Sequence, residues 1–215
     1  RMLILARVVR AGKSLSTSLL IDLINYPNEE RHLEFKRSMS WEENRFKATI
    51  TKSILGMANI RDGGWIVIGK EEQSDGTFIA IGMDQSDFDS FNSDAVRDFV
   101  KDYADPYVNL SVHKVDHAQK KFVIIRIEEF DTIPVICKRD WGNILHRGKM
   151  YTRSRGKPET IEVPGQTEMR EIINMAVEKE IRRFYERLSR IGLPPLIPSK
   201  PSDKELFDKQ REDLL

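Results

Sequence analysis

The run Trp65-Ile66-Val67-Ile68-Gly69, entered through Arg61-Asp62-Gly63-Gly64, limits what this chain can become more than any other stretch. Every residue before the glycine is apolar, so the run has no face to offer water. A strand of that kind must be covered on both sides, which predicts a central place in a sheet. Trp41 to Ala58, with Phe46, Ile50, Ile54, Leu55 and Ala58 at helical spacing and Ser40 as a cap, reads as one of the covers. The glycine pair marks the turn between that helix and the strand.

The remaining elements arrange themselves around this strand. Residues 1–27 read as a lead-in with one helix, capped by Ser14 or Ser16, striped by Leu19, Leu20, Leu23 and Ile24, and stopped by Pro27. Residues 32–36 read as a strand, and Asp75-Gly76 as a hairpin turn into Phe78–Gly82. A second amphipathic helix is expected over 86–103. Strands are expected at 107–115, 122–128, 134–137 and 150–154, the last of the series. After Pro164-Gly165, Thr167 to Ile191 reads as one long charged helix. Met169, Ile172, Ile173, Ala176, Ile181, Phe184 and Leu188 are expected on one side of it, with Arg and Glu spaced for i,i+4 pairs. The Pro-rich and then charged residues 193–215 read as an arm. This order predicts an α+β fold, a mixed and mostly antiparallel sheet with packed helices. The expected divisions are 1–27, 28–163, 164–192 and 193–215.

Composition narrows the function classes. Lys and Arg number 35 against 34 Asp and Glu, so any nucleic-acid contact must come from local clustering of charge. One cysteine, Cys137, excludes an internal disulfide and a thiolate zinc cluster, and a reducing, cytoplasmic compartment is the simplest reading. No apolar run reaches the roughly 18–20 residues of a membrane span. Met2–Leu5 is too short for a signal-peptide core, and the opening Arg1 reads as a fragment or an added residue.

Three constellations carry candidate chemistry. Glu29 and Glu34 precede Lys36, and Glu71-Glu72 follow Gly69. Carboxylates converging from separate elements can hold Mg2+ or Mn2+, although solvated loop charges and a polar hairpin end account for the same spacing. Lys36, on the strand face of Glu34, can either pair with it or meet a phosphate. Asn59 with Gly63-Gly64 forms either an anion nest or a tight turn needing positive φ. The basic run Lys138, Arg139, Arg147, Lys149, Arg153, Arg155 and Lys157 forms either a phosphate-backbone surface or a solvated strand end. Ala11-Gly12-Lys13-Ser14 lacks the first glycine of a P-loop, since Arg7 stands there. His113 and His117 lack a third zinc ligand.

Glu29-x-x-x-Leu33-Glu34-Phe35-Lys36, the helix ending Ala58-Asn59, and Gly63 through Gly69 together resemble the Schlafen-type Alba-like domain. So do Gly82, Pro106, Phe122–Ile127, Pro134-Val135 and Tyr151–Ser154 with Gly156, so that the likeness covers about residues 28–160. Bacterial members are commonly labelled DNA-binding, while nuclease members use three carboxylates. The resemblance carries these onto Glu29, Glu34 and Glu72 as catalytic metal ligands, with Lys36 on the scissile phosphate. Arg147, Lys149, Arg153, Arg155 and Lys157 would then hold the backbone. Two departures stand out: Glu30 replaces the usual Ser, and the third acid is Glu rather than Asp.

The resemblance implies a metal-dependent endoribonuclease using Mg2+ or Mn2+, with RNA favoured over DNA and transfer RNA among the candidates, in prokaryotic defence or stress. The alternatives are a non-catalytic DNA- or RNA-binding module of a regulator or larger assembly, and a protein-interaction domain that recruits an effector. Nuclease members pair two lobes and this chain has room for one. A homo-oligomer or larger complex through the C-terminal helix and arm is therefore expected.

Overall fold

In the computed structural model, residues 16–192 are described. Ser14, the P-loop-like Ala11–Ser14 and the arm over 193–215 lie outside them. Five helices and ten strands follow in order. Helix α1 (Thr17–Asn25) leads to β1 (Leu33–Lys36), α2 (Asn44–Ala58) and β2 (Gly64–Ile68). The hairpin β3 (Lys70–Glu72) and β4 (Phe78–Ala80) precedes α3 (Gln85–Ser90) and α4 (Ser93–Lys101). Then come β5 (Ala104–Asp105), β6 (Leu110–His117), β7 (Lys120–Ile127), β8 (Ile136–Cys137), β9 (Tyr151–Arg153), β10 (Thr160–Glu162) and α5 (Gln166–Arg190). The chain divides into two compact units, one through Ala176 and one from Val177.

The central sheet runs β1-β2-β7-β6. β1 lies parallel to β2, while β2–β7 and β7–β6 are antiparallel. The sheet is therefore mixed and mostly antiparallel, and the fold is α+β as expected. Strand periodicity sorts its side chains between two cores. Leu33, Phe35, Trp65, Val67, Val115, Phe122 and Ile124 face α1 and its Leu19, Leu20, Leu23 and Ile24. Ile66, Ile68, Val123, Ile125 and Ile127 face α2, α3 and α4. Each fully buried aliphatic side chain contributes about 1.5–3 kcal/mol, so β2, buried at every position, anchors both layers.

Local chemistry explains the boundaries. Ser16 caps α1 by accepting from Leu19 N at 3.3 Å. α2 starts at Asn44, later than its apolar spacing suggests. Trp41 packs ahead of it, against Phe46, Phe91 and Phe99, while the Ser40 hydroxyl accepts from Glu42 N, short of the helix. The single helix expected over 86–103 is two, because the Asn92 side chain accepts from Asp94 N and Ala95 N and starts a second one. Strand β10, missing from the expected set, pairs with β9 and lies on α2, where Gly56 leaves room: a Cβ there would sit 2.5 Å from Thr160 Cγ2. On α5, Ile172 and Met175 are buried whereas Met169, Ile173, Ile181 and Phe184 are exposed. The apolar residues expected on one side thus occupy two.

Candidate functional site

β1 sends alternate side chains to opposite sides of the sheet, and Glu34 goes to the side of α2. Its carboxylate is 4% exposed and spent on protein partners. Lys36 Nζ lies 2.6 Å from Oε1, Ser53 on α2 donates to the same oxygen at 2.8 Å, and Arg153 Nη1 donates to Oε2 at 2.6 Å. Of the two roles open to Lys36, pairing with Glu34 is the one its geometry shows.

Arg153, expected on a phosphate-binding surface, is 1% exposed. Its guanidinium also donates to the carbonyls of Arg31, Glu30 and Pro158 and to the Thr160 hydroxyl. With Glu34, that occupies all five N–H donors a guanidinium has. The side chain ties β9 and β10 to β1 and the segment before it, and has nothing left for a phosphate. Arg155 is also engaged, with Nη2 3.0 Å from Glu171 on α5. Arg31 holds the same carboxylate through two bonds of 2.9 Å. These two arginines hold the Glu171 carboxyl below its ordinary range. Lys157 is exposed in the turn between β9 and β10.

Glu29 accepts from Phe35 N on β1 at 2.6 Å, and burial pushes its carboxyl upward. β1 is a sheet edge, so Glu29 satisfies a backbone group the sheet leaves open. Glu72 lies elsewhere. It pairs with Phe78, whose ring packs on Phe35 at 5.1 Å, and Lys70, two residues earlier on the same strand face, lies over the Phe35 ring at 3.8 Å. Glu72 therefore belongs to the Phe35 side of the sheet and Glu34 to the other. Among the described residues, no group of three Asp, Glu, His or Cys side chains could hold a metal ion. The donor set carried over by resemblance is not assembled for Mg2+ or Mn2+ in this arrangement: Glu34 already meets Lys36, Ser53 and Arg153, Glu29 holds Phe35 N, and Glu72 lies on the separate β3–β4 hairpin.

The Asn59 and glycine motif resolves as architecture. Asn59 is 1% exposed; its Nδ2 donates to the carbonyls of Val135 and Tyr151, and its Oδ1 accepts from Val135 N. Gly63 N donates to Ile60 O at 3.2 Å, and Asp62 N to Glu129 Oε2 at 2.7 Å. Gly63 has φ +67°, so the tight turn is the reading realised, and its amides are already used.

Other cations lie on α2, where Lys52 is half-buried, and on the segment between β8 and β9. Lys52 Nζ lies 5.6 Å over the Tyr151 ring, and the Tyr151 hydroxyl accepts from His146 N at 2.8 Å. Burial pushes that phenol up to about 12. Lys138, Arg147 and Lys149 are exposed on the same segment, with Glu162 held by His146 and Lys149 and pulled below its ordinary value chiefly by the His146 bond. Lys52 and His146 are the members that sequence reasoning missed. Lys52 carried no signal beyond its place on α2, and it meets Tyr151 only through the packing of β9 on α2.

The Schlafen, AlbA_2 family profile matches residues 29–162, the span that holds β1 through β10. The chain belongs to the Schlafen, AlbA_2 family. In this Schlafen, AlbA_2 member, Glu34, Arg153 and Asn59 are bonded to other parts of the chain itself. No curated protein matches. Among solved structures, the DIP2311 protein from Corynebacterium diphtheriae is similar at 14% identity and a TM-score of 0.42, over 75% of this chain and 29% of that one. The N-terminal domain of an ATP-dependent DNA helicase RecG-related protein from Nitrosomonas europaea is similar at 17% identity and a TM-score of 0.42, over 71% of this chain and 99% of that one. The chain thus spans less than a third of the Corynebacterium protein's length. No described helix is long and apolar enough to cross a membrane.

Proposed function

We propose that this chain is a nucleic-acid-binding module that grips the phosphate backbone without cutting it. The observation that carries this reading is the separation of its charges. Glu34, Lys36 and Arg153 of the sequence motif satisfy one another inside the fold, while Lys138, Arg147 and Lys149 are exposed on the β8–β9 segment and Lys52 is half-buried on α2. Phosphates are met by cations in such a position. The near-zero net charge is compatible with this, because a local cluster rather than the whole surface does the binding.

The test is anisotropy of labelled transfer RNA and of a short duplex DNA, with chelator and with Mg2+ or Mn2+. Neutralising about four phosphates makes affinity fall about 100-fold between 50 and 200 mM salt. Binding is expected in both metal and chelator, with Arg147→Ala/Lys149→Ala weakening it about tenfold and no cleavage products in any lane. Metal-dependent cleavage that disappears in Glu72→Gln would establish the endoribonuclease instead. Glu72 is exposed, so that substitution leaves the fold intact.

A further inference from the structure

The geometry points to a second copy of this chain as the partner of the C-terminal part of α5, joined antiparallel. From Val177 onward the helix carries Val177, Ile181, Phe184 and Leu188, and Ile191 follows in the turn just past its end, spaced 4, 3, 4 and 3 residues apart. That is the a/d repeat of a two-helix seam. Val177, Ile181 and Phe184 are each 50% exposed and Ile191 70%, well above what isolated surface apolar residues require. A continuous apolar stripe on a helix otherwise rich in Arg, Lys and Glu calls for a covering surface.

The flanking charges choose both the occupant and the orientation. With Ile181 and Leu188 at a, and Val177 and Phe184 at d, Glu180 and Arg187 both take g positions on one flank. Their shared flank shows within one chain, where Arg187 Nη2 lies 3.8 Å from Glu180 Oε2. Laid antiparallel, Ile181 meets the partner's Phe184, and Val177 meets the partner's Leu188. Glu180 then faces the partner's Arg187, and the twofold axis repeats that pair. Laid parallel, g positions face e positions instead, and Glu180 meets the partner's Tyr185, with no ion pair formed. The stripe is thus complementary to itself in one direction only, as an isologous contact requires. A seam of about two heptads gives a weak dimer that fills at high protein concentration. Each dimer would present two copies of whatever surface binds nucleic acid, which raises avidity for long strands.

Sedimentation equilibrium of the full chain, from roughly 10 µM to 1 mM, tests this. A monomer–dimer equilibrium is expected. Ile181→Glu/Phe184→Glu is expected to leave monomer throughout, with helix content by circular dichroism unchanged because both side chains are exposed. Glu180→Arg or Arg187→Glu alone places like charges together and is expected to weaken the dimer about fivefold, and the two together to restore it. A monomer at every concentration, as when residues 193–215 cover the stripe, overturns the proposal. So does a dimer indifferent to Ile181→Glu/Phe184→Glu. A dimer lost in that variant but unmoved by the charge exchanges overturns the antiparallel register.

Discussion

Arg153 and Lys70 are both long cations shut away from water, and they are satisfied to different degrees. Arg153 gives all its donors to a carboxylate, a hydroxyl and three carbonyls. Removing one partner of such a buried pair leaves an uncompensated charge and costs about 3–5 kcal/mol. Arg153→Lys, which keeps charge but not the planar fork, is expected to lose about that much in urea unfolding while the folded fraction still binds nucleic acid. Normal stability with lost binding would make Arg153 a contact residue instead. Lys70 is 1% exposed and rests on the Phe35 ring and the Tyr26 carbonyl, without a carboxylate. Burial lowers it from 10.5 to about 8. Between those values the unfolded chain binds more protons than the folded one, so stability rises with pH across that window, and the full penalty is present below about 8. Lys70→Met is expected to raise the melting temperature near neutral pH and to lose that advantage towards pH 10.5; a pH-independent difference would refute it. In the sequence Arg153 reads as one more base in a basic run, because burial of a side chain is decided by residues far along the chain.

Turns were the most legible elements and helix ends the least. The turn over 61–64 was readable from its glycine pair: Gly63 follows Asp62 in the left-handed region, and a Cβ at Gly64 would sit 2.6 Å from the Met57 sulfur. Gly63 at φ +67° shows the cause, since a Cβ would lie 2.1 Å from Ile127 O. Gly63→Ala combines a left-handed conformation with a backbone collision and is expected to cost about 3 kcal/mol or more, measured by thermal unfolding. The late start of α2 and the break between α3 and α4 were hidden by the same apolar residues that predicted helix. Trp41 and Phe91 are apolar at suitable spacing, yet they serve as packing plugs at helix ends. β10 has little apolar content and exists because β9 pairs with it and α2 has a glycine beneath it. On α5, periodicity located the helix. Two apolar stripes on one helix look like a single broad one until burial distinguishes Ile172 and Met175 from Ile181 and Phe184.

For the whole molecule, the nucleic-acid and dimer readings rest on surfaces, and surfaces are where sequence says least. Net charge near zero conceals the exposed Lys138, Arg147 and Lys149, which the β8–β9 segment carries within twelve residues. The sequence by itself determined the α+β class, the central place of β2, the glycine turn and the family. Each of these follows from local patterning: apolar periodicity, backbone freedom, and a motif contiguous in sequence. Only the tertiary structure decided what the motif's polar residues do. Glu34, Arg153, Ser53 and Asn59 meet across separations that no spacing encodes, and Glu72, adjacent to the motif in reading order, falls on the other side of the sheet. The reason is physical. Strand pleat and sheet order assign each side chain to a face, and only when the faces are packed does a carboxylate acquire either a cation of the protein or open solvent.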